Sequence, residues 1–86
     1  IHKMVSFLAQ IHLEGIDRIG VVSDITNIIS RELSVNMRNI TITVNDGIFE
    51  GTIDVYVHHT KDLNNLIMKL VNIEGVDRVK RVETFN

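Results

Sequence analysis

Cysteine, proline and tryptophan are all missing from this 86-residue chain, and aromatic residues amount to one tyrosine and three phenylalanines. Without cysteine there is no disulfide framework, no thiolate zinc site and no Cys nucleophile. Without proline, no strand edge carries the residue that most simply blocks pairing. No apolar run approaches the roughly 18 residues of a membrane span, and no signal peptide is visible, so no membrane partner is expected. An excess of one charge is lacking too: nine Lys and Arg against eleven Asp and Glu leave a formal net charge of −2. A generic electrostatic grip on nucleic acid or anionic lipid is therefore not expected, although Arg78, Lys80 and Arg81 form a small basic cluster. The composition suits a cytoplasmic protein. A chain of this size buries only about 60–65% of its unfolded surface, enough for one core without an enclosed active-site cavity beside it. It starts at Ile1, close to strand-like sequence, and reads as one domain cut from a longer protein.

What is present is periodicity. Phe7, Ala9, Ile11 and Leu13 alternate with Ser6, Gln10 and His12, a half-buried strand with Leu8 as its exposed apolar exception. The stretch Glu14–Gly20 interrupts that pattern. From Val21 the period becomes helical, with Val21, Val22, Ile25, Ile28, Ile29 and Leu33 on one side. Ile40, Ile42 and Val44 alternate with Thr41 and Thr43, and Asp46-Gly47 then signals a two-residue hairpin. That turn sets a register in which Asn45 faces Ile48, Val44 faces Phe49, Ile42 faces Gly51 and Ile40 faces Ile53. Gly51 marks a close approach or a bulge. Leu63, Leu66, Ile67, Leu70 and Val71 resume helical spacing, with Thr60 or Asp62 as N-cap and Gly75 as a C′ terminator. Val76–Thr84 forms a last strand whose poor alternation predicts an edge or a bulge.

The order β-α-β-β-α-β with right-handed crossovers predicts an α+β, ferredoxin-like sandwich: one four-stranded antiparallel sheet in order 4-1-3-2, both helices on one face, the other face open. Glu14-Gly15-Ile16-Asp17-Arg18-Ile19 resembles Glu74-Gly75-Val76-Asp77-Arg78-Val79. One copy leads into a helix and the other out of one, so the likeness reads as chance.

The topology hosts many functions, so chemistry must come from particular residues. The open face would carry Ser6, Leu8, Gln10, His12, Glu50, Thr52, Asp54, Tyr56 and His58, and one Tyr among acids is no base-stacking platform. The histidines His2, His12, His58 and His59 cannot converge on a metal within one chain, since neighbours on a strand point to opposite faces. No catalytic set, metal site or cofactor motif is visible. The loop before the first helix differs. Gly15 and Gly20 bracket Ile16-Asp17-Arg18-Ile19 at a helix N-terminus, where free N–H groups suit a carboxylate and Asp17 suits an ammonium group. The alternative is structural: Asp17 caps the helix, Gly15 makes the turn and Gly20 allows close packing.

Asp17-Arg18-Ile19-Gly20-Val21, a helix, and then Val35-Asn36-Met37 resemble the ACT domain signature. The resemblance implies an amino-acid site at a dimer interface, in which Asp17, Arg18 and Gly20 match the family's loop and Asn36 its polar residue of the second strand. Gly15 and the apolar Ile16, Ile19 and Val21 complete the candidate site from the loop's own residues. Ile19 stands where the family commonly has proline. Gly15–Thr26, Val35–Arg38 and Asn45-Asp46-Gly47-Ile48-Phe49-Glu50-Gly51-Thr52-Ile53 further resemble the C-terminal ACT domain of RelA/SpoT enzymes, which make and hydrolyse (p)ppGpp. That implies a bacterial parent with its catalytic domains elsewhere. With neither proline nor an expected bulge to blunt it, the edge of strand two points to a homodimer through strand two and helix one, as ACT domains often form. The resemblance adds contacts with the parent's other domains or the ribosome, and the apolar Ile16, Ile19 and Val21 point to a branched-chain amino acid as ligand. Two readings stand: a small-molecule sensor using the loop, and an interaction module using the open face or the sheet edges.

Overall fold

Alternation along the first strand continues further than the residue pattern suggested. In the computed structural model, which describes residues 5–83, β1 runs Phe7–Ile16, followed by α1 (Val21–Arg31), β2 (Val35–Asn45), β3 (Ile48–Val57), α2 (Thr60–Val71) and β4 (Val76–Val82). His2 and Thr84 lie outside the described residues. The sheet order is β2-β3-β1-β4, the expected 4-1-3-2 read from the other edge, and every neighbouring pair is antiparallel.

The core is the face that period two assigned to it. Ala9, Ile11 and Leu13 of β1 meet Phe49, Ile53, Val55 and Val57 of β3, and Val21, Ile25 and Ile29 of α1 with Leu63, Leu66 and Leu70 of α2 cover them. Because the helices take one face only, Leu8, Gln10, His12 and Glu14 of β1 stay on the other with Glu50, Thr52, Asp54 and Tyr56 of β3. The hairpin has the register the Asp46-Gly47 turn dictates: Asn45 opposite Ile48, Val44 opposite Phe49, Ile42 opposite Gly51, Ile40 opposite Ile53. Asp46 takes φ 52 and Gly47 φ 77, the two positive values that turn requires. Gly51 makes room for the Ile42 and Leu13 side chains.

Bulges decide the rest of the sheet. Glu14 pairs with Arg78 but Gly15 with Val76, so Asp77 is the extra residue that keeps both Val76 and Val79 on the helix side. Val82, level with Gln10, still faces the side opposite to Val79, as its spacing predicts, and β4 is an edge strand. A second shift, between Met37 and Asn39, makes Arg38 the extra residue of β2. The β2 edge is thus not free of bulges, as its sequence suggested, and its uninterrupted ladder runs over Asn39–Asn45.

Four local expectations are corrected. Leu33 does not extend the apolar stripe of α1: the helix stops at Arg31, Glu32 turns extended, and Leu33 is 100% exposed in the turn. Val44 points to the helix side yet stays half-exposed on the edge strand β2, while Phe49, level with it on the inner strand β3, is buried. Neither Thr60 nor Asp62 caps α2; His59 occupies the N-cap without a side-chain bond. Gly75 does not terminate α2 either, for the helix ends at Val71 with Asn72 as its C-cap. Gly75 (φ 92) instead serves a separate turn closed by the Val76 N–H donating to the Ile73 carbonyl at 3.0 Å.

The paired Glu-Gly-Ile/Val-Asp-Arg-Ile/Val segments lie side by side. Gly15 is level with Val76, Ile16 N–H donates to the Gly75 carbonyl at 2.7 Å, and Glu14 Oε1 is 3.6 Å from Arg78 Nε. In the reciprocal position, Arg18 of the first copy reaches the backbone of Glu74 in the second. Antiparallel pairing of β1 with β4 therefore brings the two copies together in opposite directions.

Candidate functional site

The β1–α1 loop is shorter than the bracket of glycines implied, only Asp17–Gly20. Gly15 is a buried strand residue rather than a turn, and Ile16 is the half-exposed end of β1 opposite Ile48. The loop is fastened on both sides. Asp17 N–H donates to the Gly47 carbonyl of the hairpin at 2.9 Å, and Val21 N–H donates to the Arg18 carbonyl at 3.2 Å.

Gly20 is the N-cap of α1, at φ 87, and no side chain caps the helix. Asp17 therefore does not act as the cap that the structural alternative required. The first intrahelical bond is Asp24 N–H to the Gly20 carbonyl, while the N–H groups of Val22 and Ser23 have no backbone or capping partner among the described residues. Asp17 is exposed, and among the described residues its carboxylate has no hydrogen-bond or ion-pair partner. Uncapped donors and a carboxylate thus sit within one loop, the polar halves needed for a zwitterion.

Arg18 is held differently. Nε donates to the Glu74 carbonyl at 2.7 Å, one terminal nitrogen to the Ile19 carbonyl at 3.0 Å, and the other to Asp24 Oδ2 at 2.8 Å. Its forked donors are directed into the protein, so it shapes the loop. The apolar neighbours divide as well: Ile19 is 100% exposed and Ile16 half-exposed, whereas Val21 is buried in the core and faces away from any solvent-open site. Ile48, across from Ile16, adds exposed apolar surface.

Asn36 is remote from the loop within one chain. It is level with Tyr56, which is level with Leu8, eight residues before the end of β1. At ~3.3 Å per residue this places it about 25 Å from the loop along the strands. Sequence reasoning missed Asp24, Glu74, Gly75 and Ile48. The repeated Glu-Gly-x-Asp-Arg segment was the signal that could have found Glu74 and Gly75.

The basic residues of β4 form no single patch: Arg78 and Lys80 are level with Glu14 and His12 of the open face, while Arg81 lies over the Phe7 ring at 5.8 Å. Among the described residues, no three His, Asp or Glu side chains cluster as metal ligands. A groove of about 540 Å³ is lined by Arg18, Asp24, Arg31, Lys69 and Glu74 among others. No helix of the described residues is long and apolar enough to cross a membrane.

Comparison with known proteins agrees with this fold. The crystal structure of the ACT domain from the GTP pyrophosphokinase of Chlorobium tepidum is similar at 36% identity and TM-score 0.83, covering 91% of this chain and all of that one. Its solution structure is similar at 35% identity and TM-score 0.81, covering 93% of this chain and 90% of that one. An ACT domain protein from Streptococcus pneumoniae shares the fold at 24% identity and TM-score 0.66, covering 87% of this chain and 86% of that one. No curated protein sequence matches the chain. The family model described as ACT domain matches residues 3–81, almost the whole of the βαββαβ unit just described, and the chain belongs to the ACT domain family.

Proposed function

We propose that this ACT domain is the regulatory module of a RelA/SpoT-type GTP pyrophosphokinase of the cytoplasm. In this reading it adjusts the parent's synthesis and hydrolysis of (p)ppGpp by binding a hydrophobic amino acid, in the first instance a branched-chain one, at the β1–α1 loop. The catalytic domains of such an enzyme are not in these 86 residues. The observation that carries the reading is the uncapped start of α1 beside the unpartnered Asp17 carboxylate. Two helix N–H groups would take the ligand carboxylate and Asp17 its ammonium group, with Ile16 and Ile19 beside the side chain. The likeness to the GTP pyrophosphokinase ACT domain supports the choice of parent.

Titration of valine, isoleucine and leucine by calorimetry is expected to give heat with the domain or with the longest soluble parent protein. Asp17→Ala removes a charge-assisted hydrogen bond of about 1.5–3 kcal/mol, so affinity is expected to fall about tenfold or more. Because Asp17 does not cap α1, this variant is expected to keep the wild-type melting temperature. The reading fails if millimolar ligand produces neither heat nor movement of the loop resonances.

The distance to Asn36 connects ligand binding to assembly. Antiparallel pairing of two β2 edges, with the α1 helices side by side, would place Asn36 of a second copy at the end of the sheet where the loop lies. Sedimentation at high concentration is expected to show twice the 9.8 kDa chain mass. A lone 9.8 kDa species would reject this pairing.

The second reading, an interaction module for another domain of the parent or for ribosomal RNA, is supported by the exposed β2 edge and the uncovered sheet face. It takes over if no amino acid binds.

A further inference from the structure

We infer that Arg18 is a positioning residue that couples the β1–α1 loop to the α2–β4 turn, so that occupancy of the loop is transmitted to the free edge strand β4. The inference rests on the loop being the regulatory site and adds the route by which that site reaches another surface.

The guanidinium joins three segments at once. It holds the Ile19 carbonyl in the loop, the Asp24 carboxylate in the first turn of α1 and the Glu74 carbonyl in the α2–β4 turn. A planar guanidinium fixes the directions of its donors relative to one another. The Ile19 carbonyl therefore cannot move without rotating the plane that holds Glu74 or breaking its own bond. Gly75 makes the arrangement possible: at φ 92, a Cβ there would lie 3.3 Å from Arg18 Nε. The same residue's carbonyl takes the Ile16 N–H at 2.7 Å, which closes a ring from Ile16 through Arg18 to Glu74 and Gly75.

A ligand on the Val22 and Ser23 N–H groups must lie against the Ile19–Gly20 backbone that precedes them, and so against one arm of this fork. A ligand shifts a conformational equilibrium only through contacts that differ between the two states, and the Ile19 carbonyl supplies such a contact. On the far side, the turn leads directly into Val76 and β4, one of the two unpaired edges of the sheet. An edge strand is where another chain or domain can pair, so the loop state becomes available to a partner. Lysine cannot replace the fork, because its ammonium is a single point of attachment.

Two measurements on the ¹⁵N-labelled domain decide the matter. Without ligand, Arg18→Gln is expected to speed exchange of the Ile16 and Val76 amides about tenfold, on the scale of one lost charge-assisted bond, while the Ile29 amide is unchanged. With valine titrated into wild type, resonances of Gly20–Ser23 and of Glu74–Val76 are expected to move with one midpoint. In Arg18→Gln the loop resonances still move and those of the turn do not. Arg18→Lys does not restore the turn response, whereas Asp24→Asn, which spares both backbone bonds, retains it. Persistence of the turn response in Arg18→Gln overturns the coupling while leaving the loop site standing. If valine, isoleucine and leucine all move nothing in wild type and give no heat with the longest soluble parent protein, the regulatory reading fails instead. The exchange measurement then decides alone, and unchanged exchange of Ile16 and Val76 in Arg18→Gln overturns the coupling.

Discussion

Gly15→Val is expected to leave the domain largely unfolded at room temperature, and Gly15→Ala to lower its melting temperature by about 10–20 °C. A Cβ at this position would overlap the Gly75 carbonyl and come within 2.8 Å of Phe49 Cε2 and 2.9 Å of the Val76 Cα. Two of the three obstacles are backbone of the neighbouring strand and turn. That carbonyl is already engaged by the Ile16 N–H, so it cannot withdraw without losing this bond. Overpacking in a core usually costs about 1–3 kcal/mol when side chains can shift, and here the backbone must shift as well. A domain of this length has only about 4–13 kcal/mol of stability in total. Thermal and urea unfolding followed by circular dichroism measures the effect. A melting temperature within ~3 °C of wild type for Gly15→Ala would show that β4 yields easily, against the close β1–β4 contact described above.

Phe49→Ala is expected to destabilise the domain by about 3–5 kcal/mol, the range for deleting a fully buried aromatic ring. Phe49 has 0% exposure and is the largest side chain wholly inside the core. Its strand neighbours are Gly15 on one side and the half-exposed Val44 on the other, so no large side chain stands ready to fill the space. The urea midpoint is expected to fall with the slope unchanged. Val44→Thr, directly across the hairpin, serves as the control and is expected to change stability by less than ~1 kcal/mol, because that side chain is 53% exposed. Equal losses at the two positions would mean that the hairpin end is covered in solution, most simply by a second copy.

Much of the candidate site was legible in the residues, and what was missed has a common cause. Asp17, Arg18, Ile19 and Gly20 stand where a strand period gives way to a helix period, which marks a helix N-terminus without further help. The partners of Arg18 could not be read in the same way. Glu74 is 56 residues away, and its contribution is a carbonyl, which every residue possesses. The burial of Gly15 and Val21 likewise depends on what lies above and beside them. Gly15, between Glu14 and Ile16 at the end of an alternating run, looks like a turn until β4 is laid against it.

The sequence by itself determined the order of elements, the core face of each long strand and the register of the β2–β3 hairpin. Periods of 2 and 3.6 and the positive-φ demand of Asp46-Gly47 are local properties, written within a few residues of where they act. Only the tertiary structure decided where the bulges at Arg38 and Asp77 fall, since each adjusts one strand to a neighbour distant in sequence. It also decided that the two Glu-Gly-x-Asp-Arg segments meet, that Arg18 is directed inward, and that Asn36 lies at the far end of the sheet from the loop. These are relations between segments brought together by antiparallel pairing of β1 with β3 and β4. Pairing of that kind is set by the burial of the whole core, which no single stretch of the chain encodes.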